Sequence, residues 1–315
     1  MTVLSLMTVI TSISMGLLLY NRYETAMRQN DVRDAQNMME TIVNSMEQYL
    51  KSMRQISDTA NYNIIQALDI SSPEFNQELS LLYDSNKDKI QSIALYDMEG
   101  ELLVAEPVTL QKEGVEVSRQ SWFENAKAKI ENMHFSTPHM QDLFQDDAKR
   151  YHWVISLSRA VDVIDGDSPE NGILLVDMKY SFIEEMMDRI NDRTRGRYYY
   201  LCDREGKLIY HPYANEISNG LFQENSVLAS SSEDGIYRNL RSPHGERQTM
   251  IVNTISYTGW KLVGVVLPDI RTDSLEKFRI YMMIIVIMLI MMLLAVNRIV
   301  SKKISSPILK LDASV

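Results

Sequence analysis

The sequence predicts an α+β protein whose folded part lies between two membrane-spanning helices. Two apolar runs without a charged residue lie near Met1 and from Ile280 to Asn297, at opposite ends of the chain. A long stripe of apolar residues at helical spacing follows the first run. From about Lys89 onwards, the pattern changes to the alternation that is typical of strands.

The apolar run near the C-terminus predicts a transmembrane helix over residues 278–297. Between Arg279 and Arg298 it has 18 uncharged residues, which at about 1.5 Å per residue cross most of a hydrocarbon core of about 30 Å. The run from Thr2 to Tyr20 is also uncharged, although six of its residues are serine or threonine. We interpret residues 1–20 as a second span. The alternative is a cleaved signal peptide, but the run lacks a basic segment and a small-residue cleavage site.

Basic residues beyond the second span predict the orientation of the chain. Four of them, opposed only by Asp312, follow the span: Arg298, Lys302, Lys303 and Lys310. Cytoplasmic flanks carry such an excess of positive charge. The sequence therefore predicts a two-pass protein of the cell membrane that contacts lipid at both spans. Residues 21–277 would be extracytoplasmic and the C-terminus cytoplasmic.

The composition describes an ordinary folded chain, with 23% charged and 45% hydrophobic residues. The formal net charge is −10, and residues 298–315 hold four positive charges and one negative, which leaves about −13 on residues 1–297. A surface of that sign repels nucleic acid, so we exclude nucleic acid as a partner. Cys202 is the single cysteine, so no intrachain disulfide stabilises the extracytoplasmic part.

A heptad seam predicts a long extracytoplasmic helix over residues 21–70. Its apolar members alternate at steps of four and three: Ala35, Met39, Ile42, Met46, Tyr49, Met53, Ile56 and Ala60. Charged and polar residues occupy the positions between them, which indicates a solvated opposite face. Two interpretations stay open at this point. The seam packs on the sheets of its own domain, or it also forms the two-fold contact of a homodimer.

Two strand-rich units follow, predicted over residues 71–195 and 196–272. In the first unit we predict strands at 90–96, 102–106, 151–161 and 172–180, a helix at 118–130, a polar loop at 162–171, and a helix at 181–190 that opens with a capping box. In the second we predict strands at 197–203, 207–211, 235–240, 248–256 and 260–267. Each unit opens with a strand, a turn and a strand, and the turns 97–100 and 203–206 both begin with aspartate and end with glycine. This is a weak internal repeat.

Several local patterns, taken in this order, resemble the double Cache sensor region of bacterial transmembrane receptors, which consists of two tandem PAS-like units. They are IALYDMEG at 93–100, RQSWFENA at 119–126, GILLVD at 172–177, YLCDREG at 200–206 and TGWKLV at 258–263. The tail from Ile304 to Leu311 resembles the opening of a HAMP linker, in which Pro307 would begin a helix, so residues 298–315 are assigned to its start. The arrangement is most similar to YesM-type sensor histidine kinases.

The resemblance implies a receptor that is truncated before its output domain. A response regulator would then be a partner only through cytoplasmic sequence that this chain lacks. A chemotaxis receptor or a cyclic-dinucleotide enzyme would share the same outer region. A partner-binding module without a small-molecule ligand is a further alternative.

The resemblance also implies a pocket in the first unit, between the tryptophan-bearing helix and the sheet. In members that bind amino acids, an arginine two residues before the tryptophan holds the ligand carboxylate and a distant aspartate holds its amine. Here Trp122 and Asp177 match, Phe123 replaces a tyrosine, and Gln120 occupies the arginine place, with Arg119 one residue too early. Gln120 lacks the bidentate grip of arginine.

The ligand of unknown identity is therefore expected to be something other than a plain α-amino acid. The aromatic residues Trp122, Phe123 and Trp153 would stack on a sugar or heterocycle, or enclose a cation with Asp177. Alternatively, these aromatic residues form the core, and Asp177 precedes the helix only as a structural acid.

The candidate catalytic and metal-binding motifs lack residues that such sites require at the required spacing. The segment 84–88 begins like a calcium loop, but it lacks the required glycine and the bidentate glutamate, and His134 and His139 have no acidic partner at zinc-protease spacing. The chain contains no glycine-rich phosphate loop and no nucleophile elbow. We therefore expect neither a cofactor nor an enzymatic activity in this chain.

Overall fold

The computed structural model describes residues 2–128, 133–145, 152–166, 168–191, 196–243, 245–267 and 273–312. The chain divides into two compact units. One comprises residues 36–193 and 197–265, and the other comprises residues 1–35, 194–196 and 266–315. The mixture of long helices and strands agrees with the predicted α+β class.

Helix α1 spans Thr2–Thr59, so the first apolar run and the heptad segment belong to one helix. A π-helical turn follows at Ala60–Ile65. The helix was predicted to continue to residue 70, but the helical turns end at Ile65. Ser72 then caps the next helix, α2 (Pro73–Asn86). The Ser72 hydroxyl accepts a hydrogen bond from the Phe75 backbone N–H at 3.2 Å, and the proline that follows disfavours a helical Ser72.

The heptad seam of α1 is buried within the single chain, because each of its eight members is at most 5% exposed. Within the seam, Tyr49 stacks on Phe182 with 4.2 Å between ring centroids. Beside the seam, Asp58 accepts a hydrogen bond from Arg159 at 2.7 Å. The interpretation that the seam packs on the domain's own sheets is therefore confirmed.

The first sheet is antiparallel, with strand order β2-β1-β6-β5-β3, and β4 also pairs with β5. Its strands are β1 (Ile90–Asp97), β2 (Leu102–Glu106), β3 (His134–Phe135), β4 (His139–Met140), β5 (Trp153–Asp165) and β6 (Ser168–Lys179). Helix α3 (Ser121–Ala128) packs on β5, and α4 (Ser181–Asp188) follows β6.

The second sheet has the order β8-β7-β11-β10-β9. Its strands are β7 (Arg197–Cys202), β8 (Leu208–Tyr210), β9 (Gly235–Arg241), β10 (Arg247–Thr254) and β11 (Lys261–Val266). Two short helices, α5 (Ala214–Ser218) and α6 (Ser226–Ser230), connect β8 to β9. In each sheet, the strand that comes first in the sequence lies between the second and the last. In the first sheet β1 lies between β2 and β6, and in the second sheet β7 lies between β8 and β11. This shared order supports the internal repeat that the sequence predicts.

The two predicted turns have the same hydrogen bonds. The Asp97 carboxylate accepts from the backbone N–H groups of Glu99 and Glu101 at 2.9 and 2.8 Å. The Asp203 carboxylate accepts hydrogen bonds from the backbone N–H groups of Glu205 and Lys207 at 3.0 and 2.7 Å. The closing glycines, Gly100 and Gly206, have φ values of 94° and 87°, which side chains rarely adopt. Aspartate and glycine are therefore needed at these positions to close the turns.

Two local predictions were wrong, and a third was confirmed in part. The predicted polar loop 162–171 is mostly strand, because the alternation of buried Val161 and Val163 carries β5 on to Asp165. Tyr180 precedes α4 without a side-chain cap, so Ser181 lies inside the helix and forms no capping box. The predicted helix 118–130 is a short 3₁₀ turn followed by α3, and residues 129–132 lie outside the described part.

Helix α7 spans Asp273–Asp312. Within the described residues, one segment, Lys277–Val296, is long and apolar enough to cross a membrane. The described residues give no second candidate, so the predicted span over residues 1–20 stays a prediction. Helix α7 also passes through Pro307, whereas the sequence predicted that a helix begins there; an interior proline removes one backbone hydrogen bond without ending the helix here.

The contact between β11 and α1 gives a test of the fold. A Cβ atom at Gly264 would lie 2.6 Å from Met39 Sδ and 3.2 Å from the Tyr199 ring, both buried. We expect Gly264→Val to lower the free energy of unfolding by about 1–3 kcal/mol through overpacking. Urea unfolding of the full chain in detergent, followed by circular dichroism, measures the change.

Gly235→Val is the matched control, because a Cβ atom at Gly235 would have no neighbour within 4 Å. Equal unfolding midpoints for the two variants would contradict the close packing of α1 on the second sheet.

Candidate functional site

The tryptophan-bearing helix begins at a break in the backbone. Gln120 follows the 3₁₀ turn Val117–Arg119 with an extended conformation (φ −69°, ψ 137°). Its carbonyl oxygen accepts hydrogen bonds from the Phe123 and Glu124 N–H groups at 3.0 Å each, which starts α3. The main chain of Gln120 thus accepts the first hydrogen bonds of α3.

Trp122 and Phe123 lie in the core between α3 and the first sheet. They are 4% and 1% exposed, and the Trp122 ring lies 5.6 Å from that of Tyr96 and 5.7 Å from that of Phe123. The cluster around them is apolar: Ala94, Ala105, Val117, Ala126, Leu143, Phe144, Ile173 and Leu175. The predicted core interpretation of Trp122 and Phe123 therefore matches their packing, and side chains fill the space between this helix and the sheet, where the sequence resemblance implied a pocket.

Asp177 lies at the polar end of this core and is fully buried. Its carboxylate accepts hydrogen bonds from Ser156 Oγ at 2.5 Å, Gln141 Nε2 at 2.6 Å and Ser92 Oγ at 3.0 Å. Among the described residues, no lysine or arginine forms an ion pair with it. A buried carboxylate is thus held by neutral donors alone, which hydrogen-bond its charge without neutralising it.

The Tyr96 hydroxyl completes the polar group. It is buried and has no hydrogen-bond partner in the described part of the chain. Burial, followed by the nearby charge of Asp177, raises the pKa of Tyr96, so the hydroxyl stays protonated. We call Ser92, Tyr96, Gln141, Ser156 and Asp177 the Asp177 cluster. It offers one buried negative charge and one unused hydroxyl.

A chain of contacts connects the Asp177 cluster to the second sheet. His139 Nε2 lies 3.3 Å from Ser156 Oγ, and its Nδ1 lies 3.0 Å from the Thr137 carbonyl oxygen. The Thr137 hydroxyl accepts a hydrogen bond from Lys207 Nζ at 3.0 Å. A displacement at Asp177 therefore has a continuous polar path to β8, which begins one residue after Lys207.

The other predicted site residues lie apart from Asp177. The Arg119 side chain is 80% exposed and pairs with Glu116 at 2.6 Å. Trp153 is 55% exposed. Strand alternation places it on the face of β5 opposite to Ser156, which contacts Asp177. The structure thus brings together Trp122, Phe123 and Asp177 around one core face, with Gln120 beside them at the helix start, but not Arg119 or Trp153.

A family model described as a Cache domain, dCache_1, matches residues 23–273. The chain belongs to the Cache domain family. This confirms the double Cache resemblance, and Cache domains are sensors, not catalysts. A search of curated proteins found no matching sequence.

Solved ligand-binding domains of bacterial chemoreceptors share the fold of this Cache region. PctB of Pseudomonas aeruginosa, in complex with L-Gln, has 15% identity and a TM-score of 0.53, covering 78% of this chain and 96% of its own. CtaA of Pseudomonas fluorescens with L-serine has 15% identity and a TM-score of 0.54, covering 76% and 99%. Tlp3 of Campylobacter jejuni with L-norvaline has 11% identity and a TM-score of 0.55, covering 77% and 92%.

Sequence reasoning missed four members of the Asp177 cluster. Ser92 and Ser156 lie at buried positions of two strands of this Cache region, in which most of the other buried residues are apolar. A small polar residue at an inward position of a buried strand is a detectable signal, because buried hydroxyls need a partner. Gln141 carried no such signal, since its approach to Asp177 depends on the fold of the β3–β4 segment.

A second buried polar group lies on the second sheet of the Cache region. The Glu224 carboxylate accepts a hydrogen bond from the Tyr198 hydroxyl at 2.6 Å and lies 3.4 Å from His211 Nε2. The side chains of His211 and Glu224 are 0% and 4% exposed. Aromatic rings of Tyr198, Tyr200, Tyr213 and Phe222 enclose His211 at 5.3–5.8 Å. His211 already fills the space that these rings enclose.

A groove of about 450 Å³ lies between α4 and α5, where the two sheets meet. Glu184 and Asp188 line one wall, and burial together with the charges of Asp188 and Glu185 raises the pKa of Glu184. The Tyr180 hydroxyl donates to the Ile209 carbonyl oxygen at 2.8 Å, and the Tyr210 hydroxyl donates to Asp188 at 2.5 Å. These hydrogen bonds join the end of the first sheet to β8.

The Asp177 hydrogen bonds predict a stability effect in the absence of ligand. Asp177→Ala removes the acceptor of three hydrogen bonds, from Ser92, Gln141 and Ser156, although Gln141 Nε2 keeps Ser92 Oγ as an acceptor at 2.7 Å. A buried donor left without an acceptor costs about 1–3 kcal/mol. We expect the urea midpoint of the full chain in detergent to fall accordingly. Asp142→Ala is the control, because Asp142 is exposed and close in sequence to Gln141. Midpoints that match the wild type in both variants would show that the network contributes no stability.

Proposed function

We propose that this chain is the extracytoplasmic ligand-sensing and transmembrane part of a bacterial receptor. One observation carries the proposal. The Cache domain match ends at residue 273, and the candidate membrane span begins at Lys277 in the same helix. A sensor domain joined directly to a span transmits a change in its fold to that span without any intervening domain.

We further propose a two-pass topology, with the N-terminal apolar run as the other span. Within the helical unit, Tyr23 stacks on Phe278 with 3.8 Å between ring centroids, and a Cβ atom at Gly16 would lie 3.5 Å from Val286. These contacts support antiparallel packing of the two apolar segments. The basic residues after Asn297 support a cytoplasmic C-terminus.

The topology predicts the labelling of introduced cysteines in intact cells. Cys202 is buried, so the native chain is expected to react weakly. A membrane-impermeant maleimide should label Ser45→Cys, which is exposed on α1, and should label Lys310→Cys only after the membrane is opened. Equal labelling of Lys310→Cys before and after opening would contradict the orientation.

We propose that the Asp177 cluster is the ligand site. The solved relatives were crystallised with amino acids such as L-Gln and L-serine, which supports a small polar ligand here too. Asp177 provides a negative charge with neutral partners only, and Gln120 stands where a carboxylate-binding arginine is expected. The ligand class that fits is a small molecule with a cationic or hydrogen-bond-donating group, which would enter as the Trp122 and Tyr96 rings move apart.

Binding would act by shifting the equilibrium between two arrangements of the domain. Coupling between two sites is typically about 1–3 kcal/mol. Helix α1 contacts β5 through Asp58 and the end of β6 through Tyr49, whose hydroxyl lies 3.3 Å from the Lys179 carbonyl oxygen. A change near Asp177, two residues before Lys179, thereby reaches the helix that leads to the membrane.

The type of cytoplasmic output domain is a further proposal. The HAMP-like tail and the arrangement of spans favour a sensor histidine kinase of the YesM type acting on a response regulator. The fold of the solved relatives equally suits a chemotaxis receptor. A homodimer through the exposed, polar face of α1 would bring two such chains together, and Asn44, Gln48 and Gln55 lie on that face.

A thermal-shift screen of the full chain in detergent tests ligand binding. The screen covers amines, amino acids, sugars, organic acids and nucleobases. A ligand at a hundredfold excess over its dissociation constant stabilises the native state by about 2.7 kcal/mol. We expect a hit whose shift is lost in Asp177→Asn, which keeps the shape but removes the charge, and kept in Asp142→Asn. A hit unaffected by Asp177→Asn would reject this site, and a folded chain without any hit would favour a protein partner.

A further inference from the structure

The β9–β10 hairpin carries three exposed arginines on one face. Arg238 and Arg241 lie on β9 and Arg247 on β10, and none of them forms a hydrogen bond or an ion pair with another described residue. The chain as a whole has a net charge of −10. An unpaired basic surface on an acidic protein needs a specific explanation.

The hairpin geometry concentrates this charge. Arg241 and Arg247 are direct cross-strand partners, and like charges at such positions are destabilising. The pairing register of β9 against β10 shifts between Arg238 and Arg241, at Asn239, which has a φ of 58°. Leu240 pairs with Gln248 and Tyr237 with Met250, so the extra residue returns Arg238 to the same face as Arg241. The bulge therefore groups all three side chains.

The position of the hairpin in the sheet suggests its partner. A tight turn, in which the Ile255 N–H donates to the Trp260 carbonyl oxygen at 2.8 Å, joins β10 to β11. The β9–β10 turn thus lies at the opposite end of the sheet, where β11 ends at Val266 and the chain continues to the span at Lys277. Eleven residues, even fully extended, reach about 40 Å at most.

We propose that the Arg238, Arg241 and Arg247 face docks on anionic phospholipid headgroups at the extracytoplasmic membrane surface. The proposal rests on the proposed membrane topology. Guanidinium groups bind phosphate through paired hydrogen bonds, and a nearby anionic surface relieves the repulsion between Arg241 and Arg247. Each arginine close to such a surface shifts the docking equilibrium about fivefold.

The test uses the full chain in nanodiscs with a fluorophore on Pro243→Cys, at the exposed hairpin turn; Cys202 is buried and stays in place. The discs contain a headgroup-labelled quencher lipid and either phosphatidylcholine alone or phosphatidylcholine with phosphatidylglycerol. We expect stronger quenching with phosphatidylglycerol, and loss of the difference at about 1 M salt, where the Debye length is about 3 Å.

The variant R238Q/R241Q/R247Q should remove the lipid-dependent quenching. R54Q/R119Q/R189Q makes the same charge change at three exposed arginines elsewhere and should retain it. Equal quenching in both lipids, or equal loss in both triple variants, would overturn the proposal. A chain that fails to insert into discs would instead contradict the proposed membrane anchoring, which co-purification with the discs measures separately.

Discussion

The burial of one stripe of α1 across both sheets is the contact on which the rest of the fold depends. Met39 packs against Gly264 in the second sheet, and Asp58 pairs with Arg159 in the first. Full burial of a large apolar side chain contributes about 1.5–3 kcal/mol, and the seam buries eight residues. Because one residue corresponds to a rotation of about 100°, the seam has a single register that satisfies both sheets at once.

The two sheets are also joined to each other by hydrogen bonds. Besides the tyrosine contacts at the α4–α5 groove, Asn191 accepts from the Tyr199 N–H at 2.7 Å and donates to the Tyr199 carbonyl oxygen at 3.0 Å. Lys207 reaches the β3–β4 segment through Thr137. The connection therefore runs through β7 and β8, the strands that open the second sheet. In the proposed function, a local change in the first sheet would reach the second sheet through these strands.

Much of the fold follows from the sequence because its signals are local. The seam of α1, the Asp97 and Asp203 turns and most strands depend on spacing and on the conformational demands of glycine. The candidate site depends on contacts between distant segments. Gln141 and Ser156 meet Asp177 only once β5 and β6 pair and the β3–β4 segment folds over them. The matching motif residues did not reveal that Arg119 pairs with Glu116, or that Trp153 lies on the other face of its strand.

The single thiol has a consequence for where this protein folds. Burial raises the pKa of Cys202 to about 12, so the sulfur stays protonated and unreactive at neutral pH. The fold also relies on no disulfide, since its stability comes from the α1 seam and from hydrogen bonds between the sheets. An oxidising or reducing environment therefore cannot form or break an intrachain disulfide in this domain. Formation of the native state therefore does not depend on an oxidising compartment.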